Sequence, residues 1–316
     1  MLEMPQPSYF KTTEQWFLKV EDLTQEILDN NKDVHWVPKE SKESYERWVD
    51  NLKDNTITRQ RFWGCPVPIW ECECGHFDVV GSKKDLEEKS LNGIPEDFHR
   101  PYIDDVKIKC SVCDKEMSRI PDVLDVWIDS GTASWSCLEY PHREDYFEKY
   151  FPADFILEAN EQTRLWFNML QICSRIAFGK SCYNNVYTTG MILDIGGVKM
   201  SKSLGNIISP YEVVDKYGAD ILRYYLAQIS AGRNMNFSWE DIKLKQRNIN
   251  VLWNVQNFLI DLEKQVDKTV KPSDNSLEEN YILSRLNSTV KNVTELLDKY
   301  QIDEVIGLIE EFYLDL

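Results

Sequence analysis

The spacing of apolar positions changes period several times along this chain, and each change marks an element. Over residues 21–30 the apolar side chains fall at Leu23, Ile27 and Leu28, the spacing of a helix with one buried face. Residues 45–52 repeat that pattern, and these first segments are too few to close a core alone. Residues 122–131 (Asp-Val-Leu-Asp-Val-Trp-Ile-Asp-Ser-Gly) read as a strand ending in a turn of small residues. Residues 154–158 read as an apolar strand closed by a carboxylate, Glu158. A helix over 161–178 follows, with Leu165, Trp166, Met169, Leu170, Cys173, Ile176 and Ala177 on one broad face and Gly179 as C-cap. Residues 186–193 form a third strand. Strand, helix, strand, loop, helix in this order predicts a right-handed parallel crossover. It would bring Trp127, Glu158 and Gly190 to the strand ends where open sheets bind ligands.

After Ser230-Ala231-Gly232 the pattern becomes helical throughout. Residues 249–263 carry Leu252, Trp253, Val255, Phe258, Leu259 and Leu262 at helical spacing. A linker over 266–274 contains Pro272. Ser276 and Glu279 then have the spacing of a capping box for a helix reaching about Tyr300, and a third helix starts near Asp303. The chain stops inside an apolar-periodic run (Ile306, Leu308, Ile309, Phe312, Tyr313), which reads as a truncated end.

Composition narrows the class. With 316 residues, 42% hydrophobic and 12% aromatic, the chain reads as a folded soluble protein with room for two domains. No apolar run is long enough to cross a bilayer, and the first residues lack a signal-peptide pattern. A cytoplasmic location is expected. A net charge of -17 argues against a broad basic face for nucleic acid and leaves room only for a local patch.

Three places carry chemistry. Cys72, Cys74, Cys110 and Cys113 form two close pairs inside an insert of charged, loop-like chain over residues 71–118. Four thiolates suit a closed tetrahedral zinc site that staples a module lacking its own core. The first pair is one residue tighter than the usual spacing, so His76 and Cys65 stand as alternative fourth ligands and free thiols as the other reading. Residues 58–70 are dense in arginine, proline and aromatics, with Arg59 and Arg61 read either as surface charge or as phosphate contacts. Finally, Gly196-Gly197-Val198-Lys199-Met200-Ser201-Lys202-Ser203-Leu204-Gly205-Asn206 presents two lysines among serine hydroxyls between flanking glycines. Ser209, Pro210 and Glu212 signal a helix start just beyond it. Such a loop suits a polyphosphate whose charge shifts during reaction.

The Lys199–Ser203 stretch resembles the second signature of the class I aminoacyl-tRNA synthetases. Residues 58–70 are similar to a segment that follows the inserted editing domain in the isoleucyl, valyl and leucyl branch. The resemblance covers nearly the whole chain and is strongest to isoleucyl enzymes of archaeal or eukaryotic type. Residues 14–23, Trp127-Ile128-Asp129-Ser130-Gly131 and residues 158–167 carry it. It implies an α/β fold: the second half of a Rossmann-type parallel-sheet nucleotide-binding domain, with a small zinc-type insert, followed by an all-α bundle. Residues 1–60 would connect to a missing editing domain. Residues 61–232 would form the catalytic half-domain with its cysteine insert at 71–118, 233–248 a connecting fold, and 249–316 the start of an anticodon-binding domain.

The resemblance also implies roles. Lys199 and Lys202 would act on the ATP phosphates, with Met200, Ser201, Ser203 and Gly190 around the nucleotide. Glu158 would hold the amino acid's ammonium, Glu161 and Gln162 the ribose. Trp127, Asp129 and Trp166 would line the isoleucine pocket. ATP with Mg²⁺, L-isoleucine and tRNA(Ile) are the implied substrates, and the full-length protein would be a monomer with no membrane partner. Departures are visible: Glu158-Ala159-Asn160-Glu161-Gln162 stands where the family usually has Glu-Gly-x-Asp-Gln, and Thr189-Gly190 where it often has His-Gly. No His-x-Gly-His signature surrounds His35, His76, His99 or His142. The chain is therefore expected to need a missing N-terminal half and to be inactive alone. A valyl enzyme and a non-catalytic nucleotide- or tRNA-binding module are the competing readings.

Overall fold

A computed structural model describes residues 13–267, 269 and 276–315. The opening residues and most of the expected linker over 266–274 lie outside the described residues. The chain divides into two compact units. One comprises the residues up to Asp33 with Glu46–Pro152 and Arg164–Cys182; the other comprises Val34–Tyr45, Ala153–Thr163 and the residues from Tyr183 onward. No helix among the described residues is long and apolar enough to cross a membrane.

The second unit holds a three-stranded parallel sheet in the order Ile156–Ala159, Asn185–Thr189, His35–Val37. Its central strand is buried at Val186, Tyr187 and Thr188, as a strand covered on both faces should be. The register sets Glu158 opposite Thr188 and Ala159 opposite Thr189. The strand expected over 186–193 breaks at Gly190, and Ile192–Leu193 pairs separately, in parallel, with Met235–Asn236.

The third strand is not the one expected. Residues 122–131 supply only Val123–Leu124, antiparallel to Thr58–Arg59 in the first unit. Val126–Gly131 is instead a short helix, so Trp127 stands on a helix rather than at a strand end. The cause is local: Asp125 caps that helix, its Oδ1 accepting the Trp127 N–H at 2.8 Å. A side-chain cap of this kind outweighs the strand preference of Val-Trp-Ile.

The helix expected over 161–178 begins as a 3₁₀ turn, Asn160–Arg164, and continues as Trp166–Phe178 after a break at Leu165. Gly179 ends it in the left-handed region, φ 70°, as predicted. The helix placed at 45–52 runs over Lys39–Val49, directly after Pro38.

The cysteine insert is a correction of substance. It is a four-stranded antiparallel sheet, ordered Phe77–Val79, Ile69–Glu71, Glu116–Arg119, Lys107–Lys109, with a helix Lys83–Lys89. Trp70, Leu86, Ile103, Ile108 and Met117 give it a core of its own. Arg119, fully buried, pairs with Asp104 and donates to the Val67 and Asp122 carbonyls at 3.0 Å each. A buried guanidinium is tolerated there because its donors find acceptors.

In the helical end, Trp239–Glu263 starts ten residues before the expected 249, with Ser238 Oγ accepting from Asp241 N at 3.2 Å. The capping box at Ser276 and Glu279 is present and opens Leu277–Asp298. Ile302–Leu314 follows. Its Glu310 is a hub: Lys245 Nζ donates to it at 2.8 Å, Asn248 Nδ2 at 2.6 Å and Gln228 Nε2 at 3.3 Å, and the Tyr224 hydroxyl also binds it. Burial works against the Glu310 carboxylate, but Lys245 and Tyr224 outweigh it and hold its pKa below the ordinary 4.5. A depressed carboxylate adds stability that is present above its ordinary pKa and lost as pH falls through its folded value. Glu310→Ala should therefore cost about 3 kcal/mol at neutral pH, chiefly from stranding Lys245. In urea unfolding curves that cost should shrink below the ordinary carboxylate range. A cost independent of pH would contradict this account.

Candidate functional site

The sheet of the second unit ends beside a cavity of about 500 Å³. Leu157, Ala159, Tyr187, Thr189, Gly190, Met191, Ile192, Lys199 and Met200 are among its lining residues. Strand alternation explains the near wall: Leu157 and Ala159 share one side, while Glu158 between them is exposed and faces away from this lining. Among the described residues, Glu158 Oε2 accepts only the neighbouring Ala159 N–H, at 3.2 Å. Glu161 is exposed and Gln162 partly buried on the following 3₁₀ turn, and neither lines the cavity.

Gly190 closes the floor. Segment 231–237 runs alongside 188–193, with Gly232 N donating to Thr188 O at 2.8 Å, Met235 N to Met191 O at 3.0 Å and Phe237 N to Leu193 O at 2.9 Å. Asn234 Oδ1 accepts the Met191 N–H at 2.9 Å. A Cβ on Gly190 would lie 1.7 Å from the Arg233 carbonyl oxygen, so no larger residue fits this crossing of backbones.

The lysine loop leaves this floor. Leu193 and Lys199 form an antiparallel bridge, and Gly197 and Gly205 take φ of 81° and 66°. Lys199 and Met200 line the cavity; Lys202, Ser201 and Ser203 do not. Both lysine side chains are exposed, and among the described residues neither is in an ion pair. Ser201 and Ser203 hydroxyls lie 3.1 Å apart. Beyond the loop, Pro210–Tyr217 is a helix with Pro at its start as expected, but Ser209 makes no side-chain cap bond and Glu212 binds Lys216 instead of closing a capping box. Two loop residues were given no role by the sequence reading, which named Asn206 only as the end of the lysine stretch. Asp194 and Asn206 join across the loop at 2.8 Å. Their signal was only that of turn formers beside glycine.

The first unit holds Trp127, Asp129 and Trp166. Trp127 borders two clefts, one of about 220 Å³ with Trp48, Ile128, Asn168 and Met169, the other of about 420 Å³ with Arg61, Trp63 and Asp129. Trp166 Nε1 donates to the Ser130 carbonyl at 3.0 Å, tying two helices together. Burial, and then the neighbouring Asp125, push the Asp129 carboxyl above its ordinary range. Arg59 is held locally: it pairs with Asp125 and donates to Thr56 Oγ1 and Thr58 O at 2.9 and 2.8 Å. Arg61, by contrast, is exposed.

The four cysteines converge. Their sulfur atoms all lie within 4.8 Å of one another, with Cys72–Cys113 at 3.4 Å and Cys74–Cys110 at 3.8 Å. Zinc–sulfur bonds of about 2.3 Å in a tetrahedron need edges near 3.8 Å, so the set fits such an ion. The tight first pair is accommodated by a turn in which Gly75, φ 83°, donates to the Cys72 carbonyl at 2.9 Å. His76 instead contacts Ser111 at 3.1 Å, and Cys65 lines another cleft. Burial opposes ionisation of Cys110, yet the Val112 and Cys113 N–H groups hold its thiol down at about 6. The Cys74 N–H favours a Cys72 thiolate, but burial and the adjacent sulfurs push that thiol up to about 12. Crowded thiols of this kind ionise together only around a cation.

Comparison with known proteins adds the lineage. Residues 4–238 match the family model described as tRNA synthetases class I (I, L, M and V). An isoleucine–tRNA ligase of Methanopyrus kandleri is 42% identical over 97% of this chain, which spans 31% of that relative's length. The LeuRS–tRNA–LeuAMS ternary complex of Agrobacterium radiobacter K84 is similar at a TM-score of 0.65 and 25% identity, over 83% of this chain and 35% of that one. Methionyl-tRNA synthetase of Mycobacterium tuberculosis bound by methionyl-adenylate shares the fold at a TM-score of 0.70 and 19% identity, over 99% of this chain and 54% of that one.

The glycine contacts yield a graded test. Gly190→Ala should cost about 2–3 kcal/mol, because backbone must part to admit the methyl. Gly131→Ala meets chiefly the Cys173 sulfur at 2.8 Å, a side chain that can turn, and should cost less. Urea denaturation of the two variants checks the order; equal or reversed costs would contradict the packing described.

Proposed function

We propose, since the chain belongs to the class I tRNA synthetases (I, L, M and V), that the complete protein joins L-isoleucine to tRNA(Ile) through an isoleucyl-adenylate made from ATP. The observation that carries this is two exposed lysines, outside any ion pair among the described residues, on a loop leaving a cavity at the C-terminal ends of parallel strands. The names of the curated relatives favour isoleucine over the valyl alternative. The chain spans under a third of those relatives' length, so the rest of the site is assigned to the remainder of the protein.

In the proposed reaction the isoleucine carboxylate attacks the α-phosphorus of Mg²⁺-bound ATP. A carboxyl-oxygen–phosphorus bond forms and the bond from that phosphorus to the bridging oxygen breaks, releasing pyrophosphate. Lys199 and Lys202 face the charge that builds on the leaving group, and Ser201 and Ser203 offer hydroxyl donors. No side chain need act as nucleophile; placement and charge compensation carry the rate. The base stacks near Gly190 and Met200, where the cavity walls are apolar. Glu158 takes the amino acid's ammonium, Glu161 and Gln162 the ribose hydroxyls, and Trp127, Asp129 and Trp166 the amino-acid side. A terminal 2′-hydroxyl of tRNA(Ile) then attacks the acyl carbon and AMP leaves.

Cys72, Cys74, Cys110 and Cys113 are proposed to hold one structural Zn²⁺. Because the module already has a core, the ion would reinforce that fold rather than create it. The residues from 249 onward are proposed to begin the anticodon-binding part, and the full protein to work as a cytoplasmic monomer.

Two measurements test this reading. In the full-length protein, Lys202→Ala should lower kcat for isoleucine-dependent ATP–pyrophosphate exchange by about 10² or more, the scale of losing one preorganised charge contact. An unchanged rate would remove the loop from the chemistry. Elemental analysis should find one zinc per chain, lost in Cys110→Ser. A zinc-free protein whose cysteine module resists proteolysis as the parent's does would refute the metal assignment.

A further inference from the structure

The lysine loop has little that would hold it by packing. Ile195, Val198 and Leu204 are 64%, 50% and 65% exposed. Hydrogen bonds do that work, and they converge on two side chains. Asp194 follows the short strand Ile192–Leu193, and its Oδ1 accepts the Gly196 and Val198 N–H groups at 2.9 and 2.8 Å. Its Oδ2 accepts Asn206 Nδ2 at 2.8 Å, across twelve residues of chain. Asn206 then grips both lysine arms: its Oδ1 accepts the Ser201 N–H at 2.9 Å, and its Nδ2 also reaches the Lys199 carbonyl at 3.3 Å.

We infer that Asp194 and Asn206 are positioning residues which clamp the two ends of the lysine loop, so that Lys199 and Lys202 are carried as one preset pair. This rests on the adenylation chemistry proposed above, because the clamp matters to rate only if those ammonium groups meet a polyphosphate. The geometry selects the residue types. The Asp194 side chain receives three donors and gives none, which suits a carboxylate and leaves its charge engaged beside a loop that must attract anions. The Asn206 group supports it in keeping that carboxyl below its ordinary range. Position 206 must accept from one backbone N–H and donate to Asp194, which a carboxamide does and a carboxylate does not. Without the clamp the lysines would be displaced, and misplacement by about 1 Å costs about 10² in rate.

The test uses the full-length protein with D194N, N206D and the exchanged pair D194N/N206D. In D194N two amide nitrogens face each other, and turning either group breaks another contact. Three results are expected. Trypsin should cut D194N after Lys199 and Lys202 at least about tenfold faster than the parent at an unchanged melting temperature, as local opening requires. In pyrophosphate exchange, D194N should lose about 10-fold to 10²-fold in kcat with the isoleucine KM within about twofold of the parent, and the exchanged pair should regain most of it. K202A should cost less than about tenfold in the D194N background, since residues acting as a unit are not additive. A parent that exchanges while D194N keeps full kcat, or an additive K202A/D194N pair, overturns the inference and leaves the proposed function standing. A parent without exchange overturns that function, and unchanged tryptic cutting overturns the clamp on its own.

Discussion

One close crossing of backbones organises the second unit. Where the central strand Asn185–Thr189 ends, Gly190 passes the Arg233 carbonyl so tightly that a single methyl would overlap it. The segment around Arg233 then zips along residues 188–193 through backbone hydrogen bonds. That crossing stops the strand, forms the floor of the cavity and aims the chain into the lysine loop. It also connects the strand end with the helices that follow residue 238, whose polar hub at Glu310 is satisfied by Lys245, Asn248, Gln228 and Tyr224. Buried polar groups this fully paired fix one packing arrangement rather than many.

The charge balance sharpens the meaning of the loop. The chain carries 53 acidic against 36 basic residues. Many lysines and arginines accordingly sit beside carboxylates, as Lys216 does with Glu212 and Lys89 with Asp78. Lys199 and Lys202 are left out of ion pairs among the described residues, while the nearest loop carboxylate, Asp194, is turned inward on backbone donors. In an acidic protein two uncompensated ammonium groups on a loop are a local attraction for anions. Arg59 shows the contrast: similar in sequence, it is neutralised by Asp125 and acts as a brace.

Legibility in the sequence followed the length of the signal. The helices 166–178 and 277–298 were readable because several turns of apolar spacing were backed by Gly179 and by the Ser276–Glu279 box. The lysine loop was readable because its residue types are distinctive. The third parallel strand, His35–Val37, has three residues and no period to detect, and its place was wrongly given to 122–131, where one cap at Asp125 turns the chain helical. The cysteine module looked like loop because its strands are three or four residues long and alternate with charge, as Lys107-Ile108-Lys109 does; only the pairing of distant strands reveals the core. The pairing of Asp194 with Asn206 was invisible for a similar reason, since it exists only once residues twelve apart are brought together.

We propose that this chain supplies the polyphosphate side of an isoleucine-activating site. ATP–pyrophosphate exchange by the full-length protein, driven in parallel by isoleucine and valine, tests it most directly. Exchange is expected with both, with kcat/KM higher for isoleucine within the roughly 10- to 200-fold that one methylene gives in an apolar pocket, a range for which isoleucyl enzymes are themselves the standard example. No exchange with either amino acid, or a preference for valine, would contradict it.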